Sequence, residues 1–356
     1  MREHFNTETR ARLRTLLAIG YALFISYASL SPFLGWREQG LSFLDVLHAP
    51  LRLTYTPFDA TINLLAYLPF GLLVSLALRK HFGILTSLLM GCLIGVLLSA
   101  SLEYAQMYLP TRISSNMDLL TNSVGAFLGA AIAVSITSWT WLFSNLVNWR
   151  SRVFHHGKEM DFGLALLALW MFGQVNPSLP MLGNVFISEV ARQPFAMSSA
   201  DQFDGWEACA VMLNLLMLGT LMLTLLRMRR KAINALLVVL GAVAAAKFFT
   251  AAVLLKSWAL LLWINSEAVL GVLFGMACLF FVLRWSRNAI ISVGVLASLC
   301  YLAIINLVFG SNSPDSAKAV YQWHYGHLLT YNGLAQTIAL IFPMLLVFHL
   351  WQVRKK

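Results

Sequence analysis

Charge is what this chain of 356 residues has little of: Asp, Glu, Lys and Arg together make up 11% of it, against about 25% in ordinary soluble domains. With 59% of its residues hydrophobic, a water-soluble globular fold is excluded. Cysteine is scarce as well. The four present, Cys92, Cys209, Cys278 and Cys300, fall inside apolar runs, with neither metal-site spacing nor the placing of an extracellular disulfide. They read as small core residues. Missing too are a nucleophile elbow, a phosphate-cradling loop and a clustered set of metal ligands, so no cofactor and no metal are expected. The net charge of +10 is dispersed in short clusters instead of one patch, which argues against nucleic acid as a partner. Arg10, Arg12 and Arg14 precede an apolar run as in a signal peptide, yet no small-residue cleavage site with a soluble mature domain follows, and this first run is expected to be retained.

What is abundant is apolar sequence. A hydrocarbon core of ~30 Å requires about 20 residues of helix, and runs of that order follow one another from Leu13 to Trp351. Ten spans are predicted, at residues 13–33, 58–78, 82–109, 117–143, 162–182, 206–226, 232–255, 257–283, 289–309 and 331–351. With the N-terminus in the cytoplasm, 18 of the 25 Lys and Arg collect on that side, in clusters such as Arg79-Lys80, Arg227 to Lys231 and Arg354 to Lys356. The positive-inside rule then predicts both termini in the cytoplasm. The expected fold class is all-α, a polytopic membrane protein.

Four segments are expected: a four-helix unit at 1–143, a cytoplasmic linker at 144–159, a second four-helix unit at 160–287 and a two-helix unit at 288–356. The second unit reads as a weak parallel repeat of the first. Asn63-Leu-Leu, Gly71 and Arg79-Lys80 are echoed by Asn214-Leu-Leu, Gly219 and Arg227 to Lys231, Gly125 and Gly129 by Gly271 and Gly275, and Pro32 by Pro177. Coincidence between low-complexity apolar segments is the competing reading.

Polar side chains within a span are costly and normally face protein or a wet cavity. Here they gather at the outer ends of the second, third and fourth spans. Asn63 lies about 6 Å below the outer boundary and Glu103 roughly 10 Å below it, with Gln106 on the same helix face as Glu103. Asp118 and Asn122 begin a stripe that Gly125 and Gly129 continue, and the two glycines should let another helix come close. Arg112, in the connecting loop, is the expected partner of Glu103 or Asp118.

The ordered set Asn63 through Pro69-Phe-Gly71, then Ser101-Leu-Glu103-Tyr-Ala-Gln106, Arg112, Asp118, Asn122-Ser-Val-Gly125 and Gly129 resembles the VanZ-like family, over roughly Leu13 to Trp141. Asp45 and His48 look like the acidic and histidine positions that precede its second helix. The resemblance implies a bacterial envelope protein, related to one that raises resistance to the lipoglycopeptide teicoplanin. That phenotype does not define a biochemical activity. The remaining two thirds of the chain lies outside the resemblance.

Function must therefore come from the site, and four readings are open. Asn63, Glu103, Gln106, Arg112, Asp118 and Asn122 could bind the polar head of an amphiphile, a membrane lipid or lipid-linked glycan, with Arg112 clamping a phosphate or carboxylate. Glu103 and Asp118 could instead act as an acid and base pair tuned by Arg112, in an enzyme modifying a lipid-linked envelope precursor. Transport is a third reading, prompted by the repeat and by Lys247 and Glu267. In the fourth the same groups only fasten helices together. Whether the chain is an enzyme is left open, and no protein partner is identified. Elsewhere, Lys247 with Glu267 reads as a buried ion pair. His324 and His327 read as part of an interfacial aromatic loop, and His155-His156 as solvated linker.

Overall fold

The computed structural model describes residues 2–31, 33–40, 42–50, 57–184, 203–255, 257–309 and 327–355. Pro32 and His324 lie outside the described residues, as does the side chain of His327. Among the described residues the chain forms twelve α-helices. They are α1 (Arg2–Leu30), α2 (Phe43–His48), α3 (Pro57–Leu78), α4 (Ile84–Gln106), α5 (Asn116–Ser138) and α6 (Thr140–Val153), followed by α7 (Lys158–Gln174), α8 (Gly205–Leu225), α9 (Ala232–Leu254), α10 (Ser266–Val282), α11 (Arg287–Ile304) and α12 (His327–Arg354). No described residue belongs to a named strand, and an isolated antiparallel bridge pairs Phe154 with Leu226.

Eight of these helices are long and apolar enough to cross a membrane, in α1, α3, α4, α5, α8, α9, α11 and α12. The protein is thus an all-α polytopic membrane protein. All ten predicted spans contain a helix, but three are shorter than expected. The fifth stops at Gln174, because Pro177 and Pro180 lack the N–H a continuing helix requires and bias the residues before them away from helical backbone. The eighth begins only at Ser266, where the Asn265 side chain accepts from the Ala268 amide and caps the first turn. At 17 residues each, α7 and α10 are about 25 Å long. The fourth span also ends early. Trp139 leaves helical backbone (φ −80°, ψ 83°), and α6 starts anew with Leu142, Leu146, Trp149 and Val153 along one face and Arg150 and Arg152 in its last turn.

Two compact units result, Met1–Arg152 and Val153–Lys356. In the first, lipid cannot reward burial of apolar area between helices, so close backbone packing must hold them. α3 and α5 supply it. A Cβ on Gly125 would stand 2.3 Å from the Leu64 carbonyl oxygen, and one on Gly129 1.9 Å from that of Leu68. A Cβ on Gly71 would meet the Ala126 carbonyl at 2.0 Å. The glycine stripe therefore faces α3, backbone on backbone. Around it pack Ala18 and Ile25 of α1, Tyr67, Phe70 and Val74 of α3 and Leu102 of α4. Large apolar side chains such as Leu65, Leu93, Leu97 and Phe127 point outward, as a lipid-facing surface demands.

In the second unit α8 is the central helix, buried along most of its length and apolar on every side, the pattern of an enclosed stave. Gly271 of α10 packs against Ala208 and Val211, and Gly275 against Leu215. The α10 glycines thus seat that helix on α8 as the α5 glycines seat α5 on α3.

Candidate functional site

The first unit has two chemically different ends. At one, Arg14 donates to the Leu76 carbonyl (3.1 Å) and lies over the Phe143 ring, while Arg79 donates to Thr137 Oγ1 (3.1 Å) and the Phe82 carbonyl (3.0 Å). At the other end, where α3 and α5 begin and α1 and α4 finish, uncharged and acidic polar groups collect.

Each predicted site residue falls at this second end. Asn63, two turns into α3, donates through Nδ2 to Asp118 Oδ1 in the first turn of α5. Both are half-buried. Asn122, one turn deeper, is buried and donates to Ser99 Oγ (3.0 Å), and Tyr67 sits beside Ser99 and Glu103. Glu103 is 4% exposed. Its Oε2 accepts from the Ser114 hydroxyl (3.1 Å) and the Ser115 amide (2.9 Å), so the carboxylate closes the loop that leads into α5. Gln106 donates to the carbonyl and hydroxyl of Ser29 at 3.0 and 2.8 Å, tying α4 to α1.

Arg112 departs from expectation. Glu103 is held by the two serines, and the guanidinium instead donates to the last carbonyls of α1, Nη2 to Ser31 at 2.7 Å and to Ala28 at 3.2 Å, and Nε to Ser31 at 3.2 Å. A cation suits carbonyls left over at a helix C-terminus. Arg112 lies in the loop, half-buried, and burial holds its pKa below the ordinary value. Glu103 and Asp118 are bound to different partners, Glu103 to the two serines and Asp118 to Asn63.

Short α2 belongs to the same end. Phe43 meets Tyr104 edge to face with ring centroids 5.9 Å apart, and Asn116 donates to the Ala49 carbonyl (2.5 Å). His48 Nδ1 bonds the Leu44 carbonyl of its own helix (2.8 Å) and is exposed with Asp45. Neither joins the buried cluster.

Sequence reasoning missed Ser99, Ser114, Ser115 and Tyr67. The signal for Ser99 was present, since it stands four residues before Glu103 on one face of α4. The second unit carries a polar cluster that spacing did not disclose. Trp170 Nε1 donates to Asn214 Oδ1 (2.8 Å), Tyr301 to Asn184 Oδ1 (2.8 Å), and Glu207 Oε1 accepts from the Asn184 amide (2.8 Å). Lys247 corrects another expectation. Fully buried, it donates to the carbonyls of Asn176 (2.5 Å) and Leu179 (2.8 Å) rather than to Glu267. Glu267 accepts from the Asp204 amide and Ser266 hydroxyl. The Pro177 and Pro180 turn leaves helix-end carbonyls that a lysine can reach, which explains the partner it takes.

A bundle of apolar helices whose polar side chains meet at one end, over a glycine-lined contact of two backbones, defines the first unit as a membrane domain with an end-facing polar site. Residues 5–143 match the family model described as VanZ/LLP1, and this N-terminal unit is VanZ-like. No curated protein and no solved structure matches the chain.

Proposed function

We propose that this protein is a multi-pass protein of the bacterial inner membrane that recognises the polar head of an amphiphilic envelope molecule, a glycolipid or lipoglycopeptide, at its periplasmic face. Such recognition would link it to envelope integrity or to glycopeptide-type resistance. The observation that carries the reading is the grading of burial at the polar end. Glu103, Gln106 and Asn122 are enclosed and bonded to helix or loop partners, whereas Asn63, Arg112 and Asp118 are half-exposed above them. Enclosed groups fix the geometry, and half-exposed ones remain within reach of a ligand.

The half-exposed trio offers an amide, a guanidinium and a carboxylate, the chemistry that hydrogen-bonds sugar hydroxyls and pairs with phosphate or carboxylate. Apolar flanks such as Leu65 and Leu120 would lie beside the acyl chain. Asn63, Asp118 and Arg112 also fasten elements together, and it is their partial exposure that supports a role toward a ligand.

Single replacements Arg112→Ala, Asp118→Ala and Glu103→Ala test the proposal. Membrane abundance is first matched, and lipids that co-purify with each variant are then measured by mass spectrometry. Loss of a charge-assisted hydrogen bond is expected to lower retention of a specific amphiphile by about tenfold or more in Arg112→Ala and Asp118→Ala. Unchanged retention in all three variants would remove the site. A covalently altered lipid, formed only with wild-type protein, would replace recognition by catalysis.

A further inference from the structure

The second unit holds a cavity of about 410 Å³ at the end opposite its Asn184, Glu207 and Tyr301 cluster. Its floor is apolar, formed by Met160, Leu223, Leu226 and Ile290, and its wall is cationic, with Arg227, Arg229 and Arg287 beside His155 and His156. Glu159 is the acidic residue of the lining.

The arginines of this wall are exposed, but the backbone that carries them is held in place. The connection before α7 and the one after α8 are zipped together by the Phe154 and Leu226 bridge, with His155 N donating to the Leu225 carbonyl (2.8 Å) and Arg227 N to that of Val153 (3.0 Å). Arg287 gives Nη2–H to the Val353 carbonyl near the end of α12 (2.9 Å), and Arg229 gives Nη1–H to that of Trp285 (3.4 Å). A guanidinium carries five donors, so one carbonyl bond each leaves Arg229 and Arg287 with donors over. His155 registers the local field. Its pKa is held below the usual value by burial first, then by Arg227, Arg287 and His156. Two helices, α7 and α11, also begin at this cavity, and helix N-termini favour anions.

Cationic walls over an apolar floor at the end of a helical bundle suit a group that is anionic at its tip and apolar behind. From this arrangement we infer that the cavity is a binding site for a phosphate group, carried either by an anionic phospholipid or by a soluble phosphate compound. Guanidinium forks match phosphate oxygens in pairs, and basic pockets between membrane helices hold anionic headgroups in this way. The site is separate from the polar end of the first unit and shares no residue with it.

Native mass spectrometry of the full chain in a neutral detergent tests the inference with three probes: dihexanoyl-phosphatidylglycerol, dihexanoyl-phosphatidylcholine and inorganic phosphate. Wild-type protein is expected to retain the anionic lipid or phosphate in preference to the zwitterionic lipid. Arg227→Gln/Arg287→Gln should weaken that retention about tenfold or more, since bonds to charged groups are lost. Arg229→Gln, a single change that guards against a double variant that fails to fold, should weaken it less, whereas Lys80→Gln in the first unit should not. Loss of phosphatidylglycerol alone identifies a lipid headgroup, and loss of both anionic probes a site that takes phosphate from solution as well. Equal retention of the two lipids by wild-type protein, with no phosphate bound, overturns the inference, as does undiminished anion binding in the folded arginine variants.

Discussion

Asn122 shows how little freedom the buried polar groups have. Its amide nitrogen donates to Ser99, while Oδ1 has no hydrogen-bond partner among the described residues. In a low-dielectric interior an amide satisfied on one side only depends heavily on that one bond. Removing the Ser99 hydroxyl would leave both ends of the amide unmet. Ser99→Ala is therefore expected to lower stability by ~0.6–2 kcal/mol, the range for hydrogen bonds between membrane helices. A double-mutant cycle with Asn122→Ala, read by thermal unfolding in detergent, isolates the pair. Additive losses would show that the two residues do not depend on each other. The deep placing of Asn122 and Glu103 was legible in the sequence because a polar residue inside an apolar run has to turn inward. Partner choice was not. Arg112 reaches α1 and Lys247 a proline turn because leftover backbone carbonyls attract cations, and those carbonyls have no signature in side-chain spacing.

Among elements, the contact of α3 with α5 decides the first unit. Its glycines abut backbone atoms, which cannot swing aside as a flexible side chain would. Gly129→Ala would drive a methyl group to 1.9 Å from the Leu68 carbonyl oxygen, and the helices must separate. A loss of about 1–3 kcal/mol is expected, the cost of overpacking a tight core. Gly20→Ala is the matched control, since a Cβ there meets nothing within 4 Å. It should be neutral, or stabilising by up to about 1 kcal/mol through helix propensity. Chemical denaturation of the two variants in detergent compares them, and equal stability would mean that the backbones are not in contact. This contact was readable from Gly125 and Gly129, spaced one helical turn apart, although the sequence did not say which helix would occupy the groove. Helix ends were read less well. Trp139 interrupts a run that stays apolar through Phe143, and only the local backbone reveals that α6 is a separate helix.

For the whole molecule the deciding question is which way the chain is threaded. Each unit, taken separately, carries a cluster of cations at one end: Arg14 and Arg79 in the first, Arg227, Arg229 and Arg287 in the second. A cluster of acidic and amide groups lies at the other, with Asn63 and Asp118 in one unit and Asn184 and Glu207 in the other. Positive charge is retained on the cytoplasmic side during insertion, so the Arg79 end is expected inside and the Ile113 loop outside. Ile113 is 88% exposed and makes a good reporter. In a background with Cys92, Cys209, Cys278 and Cys300 replaced by Ala, Ile113→Cys should react with a membrane-impermeant maleimide in intact cells, and Lys80→Cys only after permeabilisation. The reverse pattern would put Asn63, Arg112 and Asp118 in contact with the cytoplasm, where a periplasmic ligand cannot reach them. The same labels placed at Arg229→Cys report on the second unit. If Arg229→Cys were labelled together with Ile113→Cys, the phosphate cavity would face the periplasm, and its ligand would have to be drawn from the outer leaflet.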